Sequence, residues 1–178
     1  VCMLQHDYDW KGYEDGIKAI KEVVDQGHDL ELVVFGEKLK DPQPLFAAAG
    51  FKFEYHYRPA REKLREIYAS CDIFLCSSWY EGLGLTGMEA MACRCSLVTT
   101  NTGGCLEYAI DEKTALVSKP RDIISLSRNL IRLLEDEVLL KSLSEDGYRK
   151  INEFNWEESC DRLICLFTEK LKKKDTKL

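Results

Sequence analysis

One stretch of the sequence joins a glycine-rich loop to the start of an apolar helix: Glu81-Gly82-Leu83-Gly84-Leu85-Thr86-Gly87-Met88-Glu89-Ala90-Met91-Ala92. The apolar run Ile73-Phe74-Leu75-Cys76 shortly before it is typical of a buried β-strand. Glycines let the backbone approach a ligand closely, a helix N-terminus offers free N–H groups, and the two carboxylates accept hydrogen bonds. A phosphorylated sugar needs all three kinds of partner, so the stretch predicts a site for one at the end of a strand.

Short apolar segments alternate with helical patterns over the first two thirds of the chain. The predicted strands are residues 1–4, 30–35, 52–55, 73–76, 96–99 and 115–117, and the predicted helices are residues 13–26, 43–49, 61–70, 86–93 and 104–110. This alternation predicts an α/β fold, a Rossmann-like parallel sheet sandwiched by helices. After Pro120 the pattern is helical throughout, at residues 123–134, 138–148 and 156–171.

The candidate ligand loops are those that follow strands, because ligands bind beyond the carboxyl ends of parallel strands. They are residues 5–12, 36–42, 56–61, 77–86 and 100–104. Lys11-Gly12 in the first loop can place an ammonium group against a diphosphate, and a plain surface lysine is the alternative. The run Thr99-Thr100-Asn101-Thr102-Gly103-Gly104 adds a second glycine-rich loop, and Arg58 adds a cation after the third strand.

Two interpretations of Glu89 are open on the residues alone. Thr86-x-x-Glu89 matches a capping box, in which the glutamate accepts a hydrogen bond from the backbone N–H of the N-cap residue, here Thr86. The same carboxylate is equally suited to a ligand hydroxyl. The two interpretations compete, because a capping threonine hydroxyl uses N–H groups that a phosphate would need.

Length, composition and charge exclude several classes of protein. The 178 residues, 45% hydrophobic and 31% charged, are typical of one soluble globular domain. The net charge of −6 argues against nucleic acid as a partner. No apolar run reaches the ~20 residues that span a bilayer, and no signal-peptide pattern is present, so we expect a cytoplasmic protein. Because the chain opens on a strand-like run without an initiator methionine, we expect a piece of a larger protein.

The eight cysteines do not predict a metal site. No two of them form a C-x-x-C pair, and most lie in apolar segments, so we expect reduced core thiols. His6 lies close to Asp7 and Asp9, but three such residues in one short loop are more typical of a turn. No G-x-G-x-x-G motif follows the first strand, which argues against a nicotinamide dehydrogenase.

Taken together, the motifs resemble the C-terminal half of retaining GT-B glycosyltransferases of family 4, the glycosyl transferases group 1. The match follows the family order over nearly the whole chain: Lys11-Gly12, Tyr68-Ala69-Ser70-Cys71-Asp72, Ser77, Glu81-Gly82-Leu83-Gly84-Leu85, Glu89-Ala90-Met91-Ala92, Gly103-Gly104 with Glu107, and Phe154-Asn155-Trp156-Glu157. The resemblance implies that residues 1–178 form a nucleotide-sugar (donor) binding domain with C-terminal helices from about residue 120. The acceptor-binding N-terminal domain would then be absent from this chain.

The resemblance also implies roles for individual residues. Glu81 and Lys11 would be catalytic, the glutamate beside the donor sugar and the lysine neutralising the leaving diphosphate. Glu89 would accept hydrogen bonds from the nucleotide ribose. The implied donor-binding residues are Gly12, His6, Arg58, Gly84, Leu85, Thr86, Glu89, Gly103 and Gly104. His6 stands where the family usually has an arginine, Leu83 where phenylalanine is usual, Arg94 and Ala115 where glycine is usual, and Ser96 where proline is usual.

The implied activity is transfer of a sugar from a nucleoside-diphosphate sugar to a glycan or lipid-linked acceptor, with retention of configuration and without a metal or other cofactor. Such enzymes build cell-envelope polysaccharides such as lipopolysaccharide. The whole protein would reach its acceptor through the N-terminal domain, with contact at the inner face of the membrane as an option. The isolated domain would turn over little or nothing. A noncatalytic nucleotide-sugar binding module and a GT-B-like sugar-nucleotide epimerase are the alternatives.

Overall fold

The computed structural model describes residues 1–37 and 52–175. The predicted helix at residues 43–49 and most of the predicted ligand loop 36–42 therefore lie outside the described residues.

A parallel sheet of six strands forms the centre of the fold. The strands are β1 (Cys2–Gln5), β2 (Leu32–Gly36), β3 (Phe53–Tyr57), β4 (Ile73–Cys76), β5 (Ser96–Thr100) and β6 (Ala115–Ser118). They are arranged in the order β3-β2-β1-β4-β5-β6. All six predicted strands are confirmed to within two residues, and so is the predicted α/β class with its parallel sheet.

Helices cover both faces of the sheet. They are α1 (Tyr13–Asp25), α2 (Arg61–Ala69), α3 (Leu85–Ala92), α4 (Ile123–Glu135), α5 (Glu137–Ile151) and α6 (Trp156–Asp175). Successive side chains of a strand point to opposite faces of the sheet. Accordingly, Met3 belongs to a core cluster with Ile20 of α1 and Leu130 of α4, whereas Cys2 belongs to a second cluster with Tyr68 of α2.

The helix predicted at residues 104–110 is wrong, because only a short 3₁₀ helix forms there, Gly104–Glu107. The side chain of Thr114 diverts the backbone that follows. Its hydroxyl donates to the carbonyl of Tyr108 at 2.6 Å and accepts from the N–H of Ile110 at 2.8 Å. Since these backbone groups bond to a side chain, they are not available to continue a helix.

Helix α3 ends in a Schellman motif, in which the N–H of Cys95 donates to the carbonyl of Ala90 at 3.0 Å. Arg94 occupies its left-handed position with φ 68°. This conformation favours glycine, which is the residue that the resemblance implies at this position. Here the arginine side chain offsets the strain, because its guanidinium lies over the ring of Tyr148 at 4.1 Å and pairs with Glu145.

The cysteines are all free thiols. Cys2, Cys95 and Cys105 are buried, as predicted. Cys160 and Cys165 are exposed, so the prediction of core thiols is wrong for these two. They lie on α6, whose residues are exposed from Trp156 to residue 171, so its side chains have no core to enter.

No helix within residues 1–37 and 52–175 is long and apolar enough to span a bilayer.

Candidate functional site

The loops after β1 and β4 bring the two predicted catalytic residues together. Lys11 ends a short 3₁₀ helix after β1, and its Nζ atom lies 2.7 Å from Oε1 of Glu81 in the loop after β4. The hydroxyl of Ser78 donates to the same carboxylate oxygen at 2.8 Å. The side chains of the pair are 21% and 14% exposed. The site therefore holds one cation and one anion close to each other, partly shielded from water.

The backbones of these two loops are locked against each other. The Ser77 hydroxyl donates to the carbonyl of Gly12 at 2.7 Å, and the N–H of Trp79 donates to the carbonyl of Trp10 at 2.6 Å. Gly12 has φ 61°, and a Cβ atom there would lie 1.9 Å from the carbonyl oxygen of Ser77. Gly12 is thus required for the packing of one loop on the other. Its contact with a donor stays a prediction.

The loop after β5 completes this edge of the sheet. The N–H of Glu81 approaches the carbonyl of Thr102 at 3.5 Å, and a Cβ atom on Gly104 would lie 1.5 Å from the carbonyl oxygen of Gly82. In contrast, a Cβ atom on Gly82 or Gly103 would meet nothing within 4 Å. The predicted cleft residue Gly104 therefore packs against protein, whereas Gly103 faces open space.

Helix α3 begins at the same place without a side-chain cap. Its N-cap is Gly84 in the left-handed conformation, with φ 80° and ψ 57°. Of the two interpretations of Glu89, the capping box with Thr86 is wrong, because the helix already begins at Leu85 and makes no side-chain cap hydrogen bond. Gly84 takes the N-cap position because glycine adopts positive φ without steric cost. The N–H groups of Leu85 and Thr86 have no acceptor among the described residues.

The free end of α3 lies beside the lysine. A cavity of about 10 Å³ is lined by Lys11, Ser78 and Thr86, among other residues. The helix N-terminus carries a partial positive charge, to which the ammonium group adds. Both attract an anion such as a diphosphate. Contact of Leu85 and Thr86 with a donor stays a prediction.

Glu89 is exposed on α3, and its Oε2 atom is 3.5 Å from the hydroxyl of Tyr68 on α2. Burial, together with the charge of Glu89, raises the pKa of Tyr68 far above its ordinary value, so this hydroxyl remains a hydrogen-bond donor. The carboxylate is not engaged at the helix end. It is therefore available to a ligand, as the second interpretation of Glu89 requires.

His6 does not act as a simple substitute for arginine. Its Nδ1 atom accepts a hydrogen bond from the N–H of Tyr8 at 3.2 Å, which requires an unprotonated Nδ1. The imidazole stacks on Tyr8, and Tyr8 stacks on Trp10, with ring centroids 4.5 and 4.2 Å apart. A hydrogen bond from His6 to a ligand can therefore come only from Nε2.

Arg58 lies away from the Lys11–Glu81 pair. It follows β3, the edge strand, which is separated from β1 by β2. Its guanidinium lies 3.7 Å from Oε2 of Glu37 and over the ring of Tyr57 at 5.7 Å. The structure does not bring Arg58 to the position of the family arginine.

Sequence reasoning missed several residues of this site. Ser78 is 4% exposed and holds the carboxylate of Glu81, as described above. The indole N–H of Trp79 donates to Asp15 at 2.8 Å, and the guanidinium of Arg121 lies over the Trp79 ring at 3.7 Å. Only the position of Ser78 and Trp79 directly after a buried strand could have indicated them. Nothing local to Arg121 points to this contact.

No group of three or more His, Cys, Asp and Glu side chains is arranged to hold a metal ion in the part of the chain that the structure describes.

Comparison with known proteins identifies the family. The sequence profile of the glycosyl transferases group 1 matches residues 1–150. The chain belongs to this family. Among curated glycosyltransferases, the chain is 29% identical over 117 residues to the N,N'-diacetylbacillosaminyl-diphospho-undecaprenol alpha-1,3-N-acetylgalactosaminyltransferase of Campylobacter jejuni, covering 66% of this chain and 31% of that one. The chain spans 31% to 42% of the length of the first such relatives that it matches.

Solved structures of glycosyltransferases share the fold. The C-terminal domain of a glycosyl transferase group 1 protein from Francisella tularensis matches with a TM-score of 0.74 at 23% identity, over 85% of this chain and 84% of that one. Anabaena HepE in complex with UDP-glucose matches with a TM-score of 0.78 at 16% identity, over 95% of this chain and 48% of that one. The chain therefore has the fold of a GT-B C-terminal domain, as the sequence motifs predict.

Proposed function

We propose that the chain is the donor-binding domain of a retaining glycosyltransferase. It would bind a nucleoside-diphosphate sugar, whose sugar passes to a glycan or lipid-linked acceptor. The observation that carries the proposal is the Lys11–Glu81 pair, 2.7 Å apart, beside the uncapped N-terminus of α3. This arrangement offers an ammonium group and backbone N–H groups to a diphosphate, and a carboxylate to sugar hydroxyls.

The proposed chemistry requires the pair to exchange partners. When the bond between the anomeric carbon and the diphosphate breaks, negative charge develops on the leaving diphosphate. Lys11 and the N–H groups of Leu85 and Thr86 stabilise that charge electrostatically, and the fixed positions of the two backbone N–H groups avoid a cost of reorganisation. Glu81, released from the lysine, accepts hydrogen bonds from the donor sugar. Charge stabilisation of this kind needs no metal ion, so we propose a metal-free transfer.

Two relatives support the choice of substrates. Anabaena HepE was solved with UDP-glucose. The Campylobacter jejuni relative is named for a diphospho-undecaprenol acceptor, which is a lipid-linked glycan. By analogy with them, we propose a nucleotide-sugar donor and an acceptor in cell-envelope glycan synthesis. From the family resemblance, we also propose that the whole protein acts on the cytoplasmic side, at the inner face of the membrane.

The acceptor would bind to a second domain outside this chain. Helix α6 presents exposed apolar side chains, among them Trp156 at 81%, Ile164 at 62% and Leu171 at 64% exposure. Contact with an N-terminal domain in the whole protein would cover such a surface. We therefore expect the chain alone to bind nucleotides but to transfer little or no sugar.

Calorimetric titration of the chain with UDP, GDP, dTDP and their sugar conjugates tests the proposal. We expect one base to bind more tightly than the others, and the sugar conjugate to add affinity through Glu81. Absence of binding by all of them, at protein concentrations that detect millimolar affinity, would refute the proposal. The anomeric configuration of the product made by the full-length enzyme, read by nuclear magnetic resonance, tests retention separately.

One observation favours a second candidate, a noncatalytic nucleotide-sugar binding module. His6 stands where the family has arginine, and its Nδ1 atom is occupied by the Tyr8 N–H. This leaves Lys11 without a second permanent cation at that position. Transfer by the full-length protein carrying Glu81→Ala separates the candidates, because unchanged transfer would favour the binding module. Formation of an isomerised sugar nucleotide without any acceptor would instead indicate an epimerase.

A further inference from the structure

The hydroxyl of Tyr108 lies directly beneath the glycine-rich loop. It donates a hydrogen bond to the carbonyl of Gly84 at 2.7 Å. The tyrosine is 2% exposed, and its ring packs edge-to-face against Phe154 with centroids 6.4 Å apart. Burial raises the pKa of Tyr108 far above its ordinary value, so the hydroxyl keeps its proton. The residue is therefore a permanent donor in a fixed position.

Of the three glycines at residues 82, 84 and 87, two leave space for this hydroxyl. A Cβ atom would lie 2.8 Å from the Tyr108 oxygen at Gly84 and 2.7 Å from it at Gly87. At Gly82, in contrast, a Cβ atom would meet nothing within 4 Å. The missing side chains of Gly84 and Gly87 thus leave space for the Tyr108 hydroxyl. Of these three glycines, only Gly82 has open space beside it.

The carbonyl that Tyr108 holds is also the one that closes the first turn of α3. It accepts the N–H of Gly87 at 3.0 Å and approaches the N–H of Met88 at 3.4 Å. Gly84 itself is in the left-handed conformation, with φ 80°. The Gly84 carbonyl and the Leu85 N–H belong to the same peptide group, so its direction determines where the Leu85 N–H points. The Thr86 N–H lies in the next peptide, within the turn that the Gly84 carbonyl closes.

We propose that Tyr108 is a positioning residue of the donor site, which holds the peptide of Gly84 so that the Leu85 and Thr86 N–H groups meet the diphosphate. The inference rests on the proposed function, because it requires a nucleoside diphosphate at the N-terminus of α3. Tyr108 itself does not touch the donor. It acts through the carbonyl of Gly84.

Tyr108→Phe removes only the hydroxyl, and Tyr148→Phe is the matched control. The Tyr148 hydroxyl makes no hydrogen bond within the described residues, and its ring contacts Arg94, away from the loop. Calorimetry with UDP, GDP and dTDP at a temperature where every variant is folded gives the affinities. For the nucleotide that the parent binds best, we expect Tyr108→Phe to weaken binding by about five-fold, the effect of one lost hydrogen bond. Tyr148→Phe should leave it unchanged.

Each outcome of this titration is informative. If the parent binds the nucleotide and Tyr108→Phe binds it equally well, the positioning role is overturned while the proposed function stands, even if the melting temperature falls. If the parent binds no nucleotide, the proposed function and this inference fail together.

Gly87→Ala provides a second route, because it disturbs the Tyr108 hydroxyl without removing it. The added Cβ would clash with the Tyr108 oxygen at 2.7 Å but would lie 3.4 and 3.5 Å from the nearest ring carbons, which is ordinary contact. We expect Gly87→Ala to lower nucleotide affinity in the parent and to have little further effect in Tyr108→Phe. Gly87→Ala should also lower the melting temperature less in Tyr108→Phe than in the parent. If Gly87→Ala lowers nucleotide affinity by the same factor in the parent and in Tyr108→Phe, the proposal is contradicted.

Discussion

Nζ of Lys11 lies 2.7 Å from Oε1 of Glu81 although the two residues are 70 positions apart in the chain. The residues follow β1 and β4, which are neighbours in the sheet. Under the proposed function, the ammonium group of Lys11 and the carboxylate of Glu81 are the groups that bind the donor, so each residue would have to leave the other when the donor binds. This competition has measurable consequences.

Glu81→Gln keeps a hydrogen-bond acceptor for Ser78 but removes the charge that holds Lys11. We expect the variant to bind the free nucleoside diphosphate more tightly than the parent by a few-fold, because the lysine no longer has to leave an anion. Lys11→Met should weaken the same binding by about ten-fold or more, the effect of a lost charge-assisted hydrogen bond. Calorimetric titration measures the affinity of both variants for the nucleoside diphosphate. A loss of affinity in Glu81→Gln would contradict competition within the pair.

Gly12→Ala and Gly82→Ala form a matched pair in neighbouring loops. A Cβ atom on Gly12 would lie 1.9 Å from the Ser77 oxygen at φ 61°, whereas one on Gly82 would meet nothing within 4 Å. We expect Gly12→Ala to lower the free energy of unfolding by about 3 kcal/mol or more, and Gly82→Ala to change it by less than about 0.5 kcal/mol. Denaturant unfolding of both variants and the parent measures these changes in free energy. Similar losses of unfolding free energy in the two variants would contradict the close packing of Gly12 against Ser77.

Glu89→Ala should cost affinity but little stability, because the carboxylate is exposed, caps no helix and accepts only one long hydrogen bond, from Tyr68 at 3.5 Å. We expect a change in unfolding free energy below about 0.5 kcal/mol. Asp122→Ala is the contrast, since Asp122 is a true N-cap of α4 that accepts from the Ser125 N–H at 3.0 Å, and its loss should cost about 1 kcal/mol. If Glu89 binds the ribose, Glu89→Ala should also reduce the preference for UDP over its deoxyribose analogue. Unchanged preference would exclude the ribose contact.

The left-handed conformation of Arg94 can be tested with two substitutions that both remove its side chain. Arg94→Ala loses the contacts with Tyr148 and Glu145 and keeps the strain at φ 68°. Arg94→Gly loses the same contacts but relieves the strain. We therefore expect the glycine variant to be more stable than the alanine variant by about 1 kcal/mol, measured by denaturant unfolding. Equal stabilities would contradict strain at this position.

The buried tyrosines predict a loss of stability at high pH. Burial raises the pKa of Tyr68 above the ordinary value of 10.0, so ionisation is favoured in the unfolded state. The resulting stabilisation is complete below about pH 10 and is lost as the pH rises above it, by up to about 1.4 kcal/mol per pH unit for each such tyrosine. Tyr68→Phe should therefore show a shallower decline of unfolding free energy above pH 10. The same slope as in the parent would be inconsistent with a buried hydroxyl.

The strands and long helices were predictable because they depend on neighbouring residues. A buried strand such as β4 is a run of apolar side chains, and α4 shows apolar residues at helical spacing. The errors occurred where a single nearby residue sets the backbone independently of the apolar pattern. Thr114 stops the helix predicted at 104–110, and the left-handed Gly84 takes the cap position in place of Thr86. The spacing of apolar residues records neither effect.

The residue pattern was enough to predict the fold class, the loops that follow the strands, and the types of residue in the candidate site. Which of these residues meet depends on the packing of the folded chain. It pairs Lys11 with Glu81, leaves Arg58 beyond β2, and places Tyr108 beneath Gly84. The physical reason is that periodicity records which side chains are buried, whereas contacts between loops depend on strand order and on close packing across the sheet.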